Sequence, residues 1–266
     1  MSAPHRTAAD TRAPALRITA AVKRFGAVVA LDGVDLAVAH GEVLALLGDN
    51  GAGKSTLIKC ISGVHRLDSG AVEIDGAPVE LGSPAAARAA GIETVYQDLA
   101  LFDNLDPAAN FYAGREDAGP AWLPRGLRLV RRRSMAAATA EVLARLQVAL
   151  PDQHAGVGLL SGGQRQAIAV ARAAAFAAGI VILDEPTAAL GLRESRRVLD
   201  LILRLRDEDR AVIVVSHAMD HVMEIADRAV VLRRGRKVGE AVPTPDNQQH
   251  IVSLIVGGTP PAGATT

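Results

Sequence analysis

The order of hydrophobic and polar residues predicts alternating strands and helices. Continuous apolar runs are typical of parallel strands that are covered on both faces, and they occupy residues 43–47, 179–183 and 211–215. Apolar residues alternate with polar or small ones at residues 16–20 and 34–38, which predicts half-buried antiparallel strands. The pattern therefore indicates an α/β domain that contains both kinds of strand.

Two further segments are strand-like, and a helix is predicted between the last two apolar runs. Residues 72–76 end in the dipeptide Asp75-Gly76, which favours a β-hairpin. Residues 92–96 resemble another strand. The crossover helix is predicted by a buried stripe at helical spacing, which consists of Val198, Leu199, Ile202 and Leu205.

The stretch from about residue 104 to residue 175 differs from the rest of the chain. It contains proline, glycine and an arginine-rich segment at residues 125–133, followed by a helix that Ser134 is predicted to cap. We interpret this stretch as a helical insert in a single α/β domain that covers residues 16–256. The remaining residues are predicted to form a disordered tail and a flexible tail, at 1–15 and 257–266.

Composition narrows the class of protein. The chain has 266 residues, of which 49% are hydrophobic, and this is ample for a core. The formal net charge is zero, so charge gives no support for nucleic-acid binding, and the arginine-rich segment is interpreted as a solvated or partner-facing surface. Cys60 is the only cysteine, which excludes an internal disulfide and a cysteine zinc site. Because no secretory signal or membrane-length apolar run is present, we expect a cytoplasmic protein.

Residues 48–56 carry the strongest chemical signal. They fit the phosphate-binding pattern G-x-x-x-x-G-K-[ST] and lie between an apolar strand and a helix start, which argues against a chance glycine-rich turn. Glycines allow the backbone to approach a phosphate chain closely, and the lysine would bridge the β- and γ-phosphates of a nucleotide. The predicted nucleotide-binding residues are Gly48, Asp49, Asn50, Gly51, Ala52, Gly53, Lys54, Ser55 and Thr56, and Ser55 is also a predicted Mg²⁺ ligand.

A pair of carboxylates ends the second apolar run. Asp184 and Glu185 lie at the end of this predicted strand, where ligands bind in open parallel sheets. Asp184 suits a Mg²⁺ site, and Glu185 suits a general base that accepts a proton from the attacking water. The alternative is that the pair caps a helix that follows Pro186.

A serine-glycine segment precedes the helix that leads to these carboxylates. Leu160-Ser-Gly-Gly-Gln164, which we call the signature segment, can present backbone N–H groups and a hydroxyl to a phosphate, although alone it would be an ordinary loop. With residues 48–56 and 183–187, in this order, it resembles the ATPase subunit of ABC transporters. The resemblance covers roughly residues 16–256. It implies an α/β fold with a P-loop NTPase core, a parallel sheet, an antiparallel β subdomain and a helical insert.

The resemblance implies roles for further residues. Phe25 matches the aromatic residue that stacks on adenine, with a core phenylalanine as the alternative. Gln97 matches the glutamine that reaches Mg²⁺ and water, and His217 matches the histidine that contacts the γ-phosphate, with a structural histidine as the alternative. The signature residues are expected to close on ATP held by a second copy, and they are Ser161, Gly162, Gly163 and Gln164. The implied catalytic residues are Glu185, His217, Gln97 and Lys54, and the implied metal ligands are Ser55, Gln97 and Asp184.

The resemblance also implies ligands and partners. These are ATP and Mg²⁺, a second cassette in a homodimer or a paired dimer, membrane permease subunits and an extracytoplasmic sugar-binding protein, without nucleic acid. The expected location is the cytoplasmic face of the cell membrane. Residues 91–101 and 187–191 look most like importers of ribose, xylose, fructose and related monosaccharides. Gly191 departs from the aspartate that many relatives carry, and this puts a contact between the two ATP sites in doubt.

Apolar residues directly after Gln97 are a candidate contact with the permease. They are more apolar than a free surface loop needs, and they comprise Leu99, Leu101, Phe102 and Leu105. The alternative is that these side chains pack under the helical insert.

Other functions fit the sequence less well. ABC ATPases of DNA repair have long heptad segments between the phosphate-binding residues and the signature segment. Translational members carry two cassettes in one chain, and exporter halves usually carry fused membrane helices. This chain shows none of these features. A non-hydrolysing binding module is the weakest alternative, because Lys54, Glu185 and His217 are all present.

Overall fold

The structure, a computed structural model, describes residues 12–117 and 129–257. Most of the two predicted tails and part of the arginine-rich segment lie outside these residues. The strands are β1 (Leu16–Phe25), β2 (Val28–Val38), β3 (Val43–Leu47), β4 (Ser69–Ile74), β5 (Ala77–Pro78), β6 (Ile92–Val95), β7 (Ile180–Asp184), β8 (Ala211–Val215), β9 (Arg228–Arg233) and β10 (Arg236–Ala241). The helices are α1 (Lys54–Ile61), α2 (Pro84–Ala89), α3 (Pro107–Tyr112), α4 (Arg132–Arg145), α5 (Gly162–Phe176), α6 (Leu192–Asp207), α7 (Met219–Ile225) and α8 (Gln248–Val256).

A six-stranded sheet lies at the centre of the described part of the chain. Its order is β10-β9-β3-β8-β7-β6. The pairs from β9 to β6 are parallel, and β10 is antiparallel to β9. Because parallel strands share one carboxyl edge, the segments that follow β3, β6, β7 and β8 are brought to the same edge. These segments contain the phosphate-binding residues, Gln97, the carboxylate pair and His217.

A second, four-stranded sheet is antiparallel and has the order β2-β1-β4-β5. Its first hairpin is longer than the sequence predicts, because β1 continues as far as Phe25 and pairs with Val28. The predicted turn after β4 is present, and Asp75 and Gly76 both have positive φ, at 51° and 76°. The predicted antiparallel β subdomain is therefore confirmed.

The two faces of the six-stranded sheet pack against different elements. Side chains alternate between the faces along each strand. On β3, Leu44 and Leu46 pack with α1 and the antiparallel sheet. On β7, Val181 and Leu183 pack on the other face with α5 and α6. The helix that follows the phosphate-binding residues and the helix that follows the signature segment therefore lie on opposite faces of the sheet.

One predicted helix boundary is wrong. The sequence predicts that Ser134 caps a helix, but α4 begins at Arg132, and Arg131 is its N-cap without a side-chain cap hydrogen bond. Arg131 N donates to Asp117 O over 2.8 Å, and Met135 N makes a helical hydrogen bond to Arg131 O over 3.1 Å. The backbone contact with Asp117 thus places Arg131 where the helix can begin, and Ser134 lies within the first turn.

Candidate active site

Residues 48–56 form a tight loop between β3 and α1. Gly48, Gly51 and Gly53 have φ of 146°, 78° and 107°, a region that disfavours other residues. A Cβ atom at Gly53 would lie 2.7 Å from Ala30 O, and one at Gly48 would overlap the carbonyl of Leu232. The loop is therefore held close to neighbouring backbone, and these positions cannot take a larger residue without movement.

Lys54 lies inside this loop. Its side chain is only 7% exposed, and Nζ donates to Gly48 O over 2.7 Å and to Asp49 O over 3.1 Å. Burial lowers the pKa of Lys54, whereas the negative charges of Glu185, Asp49 and Asp184 act to raise it. The ammonium group thus lies inside the loop that is predicted to bind phosphate. The negative charges of the carboxylate pair act on it.

The carboxylate pair lies at the carboxyl end of β7, as predicted. Asp184 is the last residue of the strand, and Glu185 N donates to Val215 O at the end of β8 over 2.9 Å. Glu185 has φ of 53°, a strained conformation that persists when the surroundings enforce it. Burial raises the pKa of both carboxyl groups, and the charge of Lys54 acts in the opposite direction on each.

Glu185 also lies beside His217. The distance from His217 Nε2 to Glu185 Oε1 is 3.3 Å, which is close enough for charge attraction. Oε1 is buried and accepts no aligned hydrogen bond from the described residues. Burial raises the pKa of Glu185, and the charge and the backbone N–H of His217 act to lower it. A buried carboxylate oxygen without a donor has the capacity to accept a proton from water.

Gln97 and Ser55 are exposed side chains near the same edge of the sheet. Gln97 follows β6 by two residues, and Ser55 lies in the first turn of α1. No cluster of three or more His, Cys, Asp or Glu side chains that could hold a metal ion occurs among the described residues. The predicted Mg²⁺ ligands are the hydroxyl of Ser55, the side-chain amide of Gln97 and the carboxylate of Asp184. All three supply oxygen atoms, which Mg²⁺ prefers as ligands. These residues fit the ion, and their role stays a prediction.

Phe25 lies at the tip of the first hairpin and is not a core residue. Its side chain is 43% exposed, so the alternative of a core phenylalanine is wrong. The edge of one ring meets the face of the other between Phe25 and His65, with centroids 5.1 Å apart, and Lys23 Nζ lies 5.5 Å from the Phe25 ring centroid. Asp68 holds the hairpin through Lys23 Nζ and Arg24 N, over 2.8 and 2.6 Å. The ring is thus available for stacking.

The signature segment leads into α5. Ser161 is the N-cap, and its Oγ accepts from Gln164 N over 3.3 Å, while Gln164 Oε1 accepts from Ser161 N over 2.9 Å. These reciprocal bonds form a capping box, so Gln164 orders the start of the helix. Gly162 follows directly and is exposed, whereas Gly163 is buried against the side chain of Glu194. The capping box therefore fixes the conformation of the signature segment where α5 begins.

The apolar residues after Gln97 divide into two groups. Leu99 and Leu101 are partly buried and pack against the core beneath α5, as the alternative interpretation required. Phe102 is 54% exposed and lies at the edge of a groove of about 550 Å³. Leu105 is half-buried and also lines this groove, together with residues of α3 and α4, such as Pro107 and Met135, and of the loops beside them.

Two residues that organise the Gln97 segment were missed by sequence reasoning. Arg172 donates to Leu99 O and Ala100 O, and Asn110 binds the backbone N–H and C=O of Phe102. A charged residue within the alanine-rich sequence of α5 was a usable signal for Arg172. Asn110 had no comparable signal, because its role depends on folding of the loop around it.

Comparison with known proteins gives consistent results. Residues 31–188 match the family described as "ABC transporter". The chain is 45% identical to a fructose import ATP-binding protein, FrcA of Rhizobium meliloti, over 93% of this chain and 96% of that protein. It is 44% identical to a xylose/arabinose import ATP-binding protein, XylG of Sulfolobus acidocaldarius, over 88% of this chain and 90% of that protein.

Other relatives are longer, and solved structures share the fold. The chain is 43% identical to a ribose import ATP-binding protein of Rubrobacter xylanophilus but spans only 47% of it. The crystal structure of a nucleotide-free ATP-binding cassette from an ABC transporter aligns with a TM-score of 0.78 and 25% identity, over 91% of this chain and 97% of that one. In the described part of the chain, no helix is long and apolar enough to cross a membrane.

Proposed function

The chain belongs to the ABC transporter family as one of its ATPase subunits, and from this premise we propose that it drives the import of a monosaccharide. The similarity to FrcA, which extends over 96% of that fructose import protein, carries the proposal. The xylose/arabinose import relative, XylG, adds a second monosaccharide system at nearly the same identity. The sugar itself would be recognised by other subunits of the system.

The phosphate loop and Lys54 would bind ATP. The ammonium now donates to two loop carbonyls, and a phosphate oxygen would replace these acceptors. Ser55, Asp184 and Gln97 are the proposed Mg²⁺ ligands, and the ion would neutralise charge on the phosphates. Phe25, exposed at the hairpin tip, would stack on the adenine.

Glu185 would act as the general base. Its Oε1 accepts no hydrogen bond from the described residues, and burial raises its pKa towards the range in which a carboxylate accepts a proton well. His217 lies 3.3 Å from that oxygen and is proposed to contact the γ-phosphate and to orient Glu185.

Two cassettes would be needed for each hydrolysis event. The phosphate loop leads into α1 on one face of the sheet, and the signature segment leads into α5 on the other face. This arrangement supports a head-to-tail dimer in which Ser161, Gly162 and Gly163 meet ATP of the second cassette. The second cassette would be another copy of this chain or a paired subunit.

The groove beside Phe102 would receive the permease on the cytoplasmic face of the membrane. Phe102 and the groove of about 550 Å³ supply exposed apolar surface at the segment that follows Gln97. An extracytoplasmic sugar-binding protein would complete the import system.

Reconstitution in lipid vesicles tests the proposal. The chain would be purified with the permease subunits and binding protein encoded beside it, and ATP hydrolysis would be measured with fructose, xylose, ribose and no sugar. We expect one monosaccharide to stimulate hydrolysis and to enter the vesicles, and the Glu185→Gln complex to do neither. Hydrolysis that no sugar changes, but that nucleic acid or ribosomes stimulate, would support a soluble ABC ATPase instead.

A further inference from the structure

Arg172 joins the segment after Gln97 to the helix that begins at the signature segment. From α5, its guanidinium donates to Leu99 O and to Ala100 O, each over 3.1 Å. A guanidinium is a rigid, planar fork, so it holds two successive carbonyls at a fixed spacing. A lysine ammonium is a single point and lacks this geometry.

In the described part of the chain, the carbonyls of Leu99 and Ala100 are the principal hydrogen-bond acceptors of the Arg172 guanidinium. Glu93, whose charge acts on Arg172, is paired with Arg115 through Nη2 and Oε1 over 2.6 Å. Arg115 in turn lies over the ring of Phe176, 4.6 Å from its centroid. Burial lowers the pKa of Arg172, yet an arginine side chain stays charged in proteins. The charge of Glu93 acts against the effect of burial, and the hydrogen bonds of the Arg172 guanidinium go to the two loop carbonyls.

The loop is strained where Arg172 holds it. Ala100 has φ of 48°, which residues other than glycine seldom adopt. Such a conformation persists only when neighbouring groups enforce it. Further along, the buried Asn110 binds Phe102 N over 2.7 Å and Phe102 O over 3.1 Å. The segment after Gln97 is thus fixed at residues 99, 100 and 102 by side chains from α5 and α3.

We propose that Arg172 is a positioning residue that makes Gln97 and the signature segment move as one unit. A shift of Gln97 towards nucleotide in its own chain then moves α5, and with it the Ser161 end that meets the ATP of the second cassette. The inference extends the proposed function, because it needs a dimer that ATP closes.

The test uses the full-length Glu185→Gln protein as the reference, with Arg172→Ala and Arg172→Lys added to it. Arg145→Ala is the matched control, since Arg145 makes an exposed ion pair with Glu208 over 3.4 Å on another helix. Light scattering with MgCl₂ and increasing ATP gives the ATP concentration at half dimerisation, and equilibrium dialysis gives ATP affinity below the dimerisation range. Hydrogen exchange of residues 97–101 and 162–176, with and without ATP, reports the coupling within one chain.

We expect both Arg172 variants to bind ATP within about twofold of the reference but to need on the order of 5- to 150-fold more ATP for dimerisation. ATP should still change exchange at residues 97–101 and should no longer change it at residues 162–176. The proposal would be overturned if Arg172→Ala left both dimerisation and hydrogen exchange unaltered, or if Arg172→Lys behaved like the reference. It would also be overturned if the Arg172 variants lost ATP binding together with a fall in melting temperature. If the reference protein itself does not dimerise, the assembly part of the proposed function fails, and the exchange of residues 162–176 still decides the role of Arg172.

Discussion

Replacing Glu185 with glutamine is predicted to slow ATP hydrolysis while stabilising the fold. The side chain is 19% exposed, Oε1 accepts no hydrogen bond from the described residues, and burial raises the carboxyl pKa. Glutamine keeps the shape of glutamate but accepts no proton at neutral pH. Loss of a general base slows turnover about 10²- to 10⁴-fold, which corresponds to roughly 2.7–5.4 kcal/mol in the barrier.

The stability change follows from the direction of the pKa shift. Burial raises the pKa of Glu185 in the folded state, so the folded chain binds this proton more tightly than the unfolded chain. The stabilisation that protonation provides is complete below the ordinary pKa of about 4.3 and is lost as pH rises through the raised folded value. Glutamine carries no charge, so the variant should melt at a higher temperature than the parent near pH 7. This difference should shrink as the pH falls towards 4.

Three measurements test the prediction together. Phosphate release at saturating ATP gives turnover, equilibrium dialysis checks that ATP still binds, and calorimetry at several pH values between 4 and 8 compares the melting temperatures. Turnover at the parent rate would show that Glu185 is not the base. A lower melting temperature of the variant near pH 7 would show that the carboxylate stabilises the fold, and the argument from burial would fail.

Other positions yield predictions of the same kind. Lys54→Ala should weaken ATP binding in calorimetric titration, because it removes the only cation that the loop itself places among the described residues 48–56. Phe25→Ala should weaken ATP binding by about 1–3 kcal/mol, the usual worth of a base-aromatic stack, and should leave the melting temperature unchanged, whereas Phe25→Trp should retain affinity. His217→Ala should move the acidic limb of the pH-rate profile to higher pH, because the positive charge that lowers the pKa of Glu185 is lost. Leu101→Glu should lower the melting temperature because Leu101 packs on the core, while Phe102→Glu should retain it and lose stimulation by the permease.

Much of the candidate site could be predicted because its residues directly follow apolar runs. A buried parallel strand has a strong sequence pattern, and its carboxyl end is where ligands bind. The phosphate loop, Asp184 and Glu185 are therefore located by local sequence, whereas His217 was identified through the resemblance to ABC ATPases. The fold class was predictable for the same reason, since the strand pattern and the order of the motifs agree.

Other features depend on contacts between distant segments, and local patterns do not encode them. The carbonyls that accept from Arg172 are more than seventy positions away in the chain. The helix α4 begins at Arg132, next to a hydrogen bond from Arg131 N to Asp117 O, so the serine at position 134 misled the prediction. The positive φ of Glu185 is likewise produced by tertiary structure, because glutamate does not favour it.

The side chain of Glu194 lies beside Gly191 and Gly163. A Cβ atom at Gly191 would lie 2.7 Å from Glu194 Oε2, and one at Gly163 would overlap the aliphatic part of the same glutamate. Glu194 on α6 therefore lies against both glycines, through Cβ and Cγ at Gly163 and through the flexible end of its side chain at Gly191. The resemblance to ABC ATPases implies an aspartate where this chain has Gly191, and the carboxylate of Glu194 lies beside that position. Because a Cβ atom at Gly162 would also contact Leu190 at 3.5 Å, the start of α5 packs directly on the loop that follows Glu185. The loop that begins at the proposed general base and the signature segment are therefore direct neighbours in the fold.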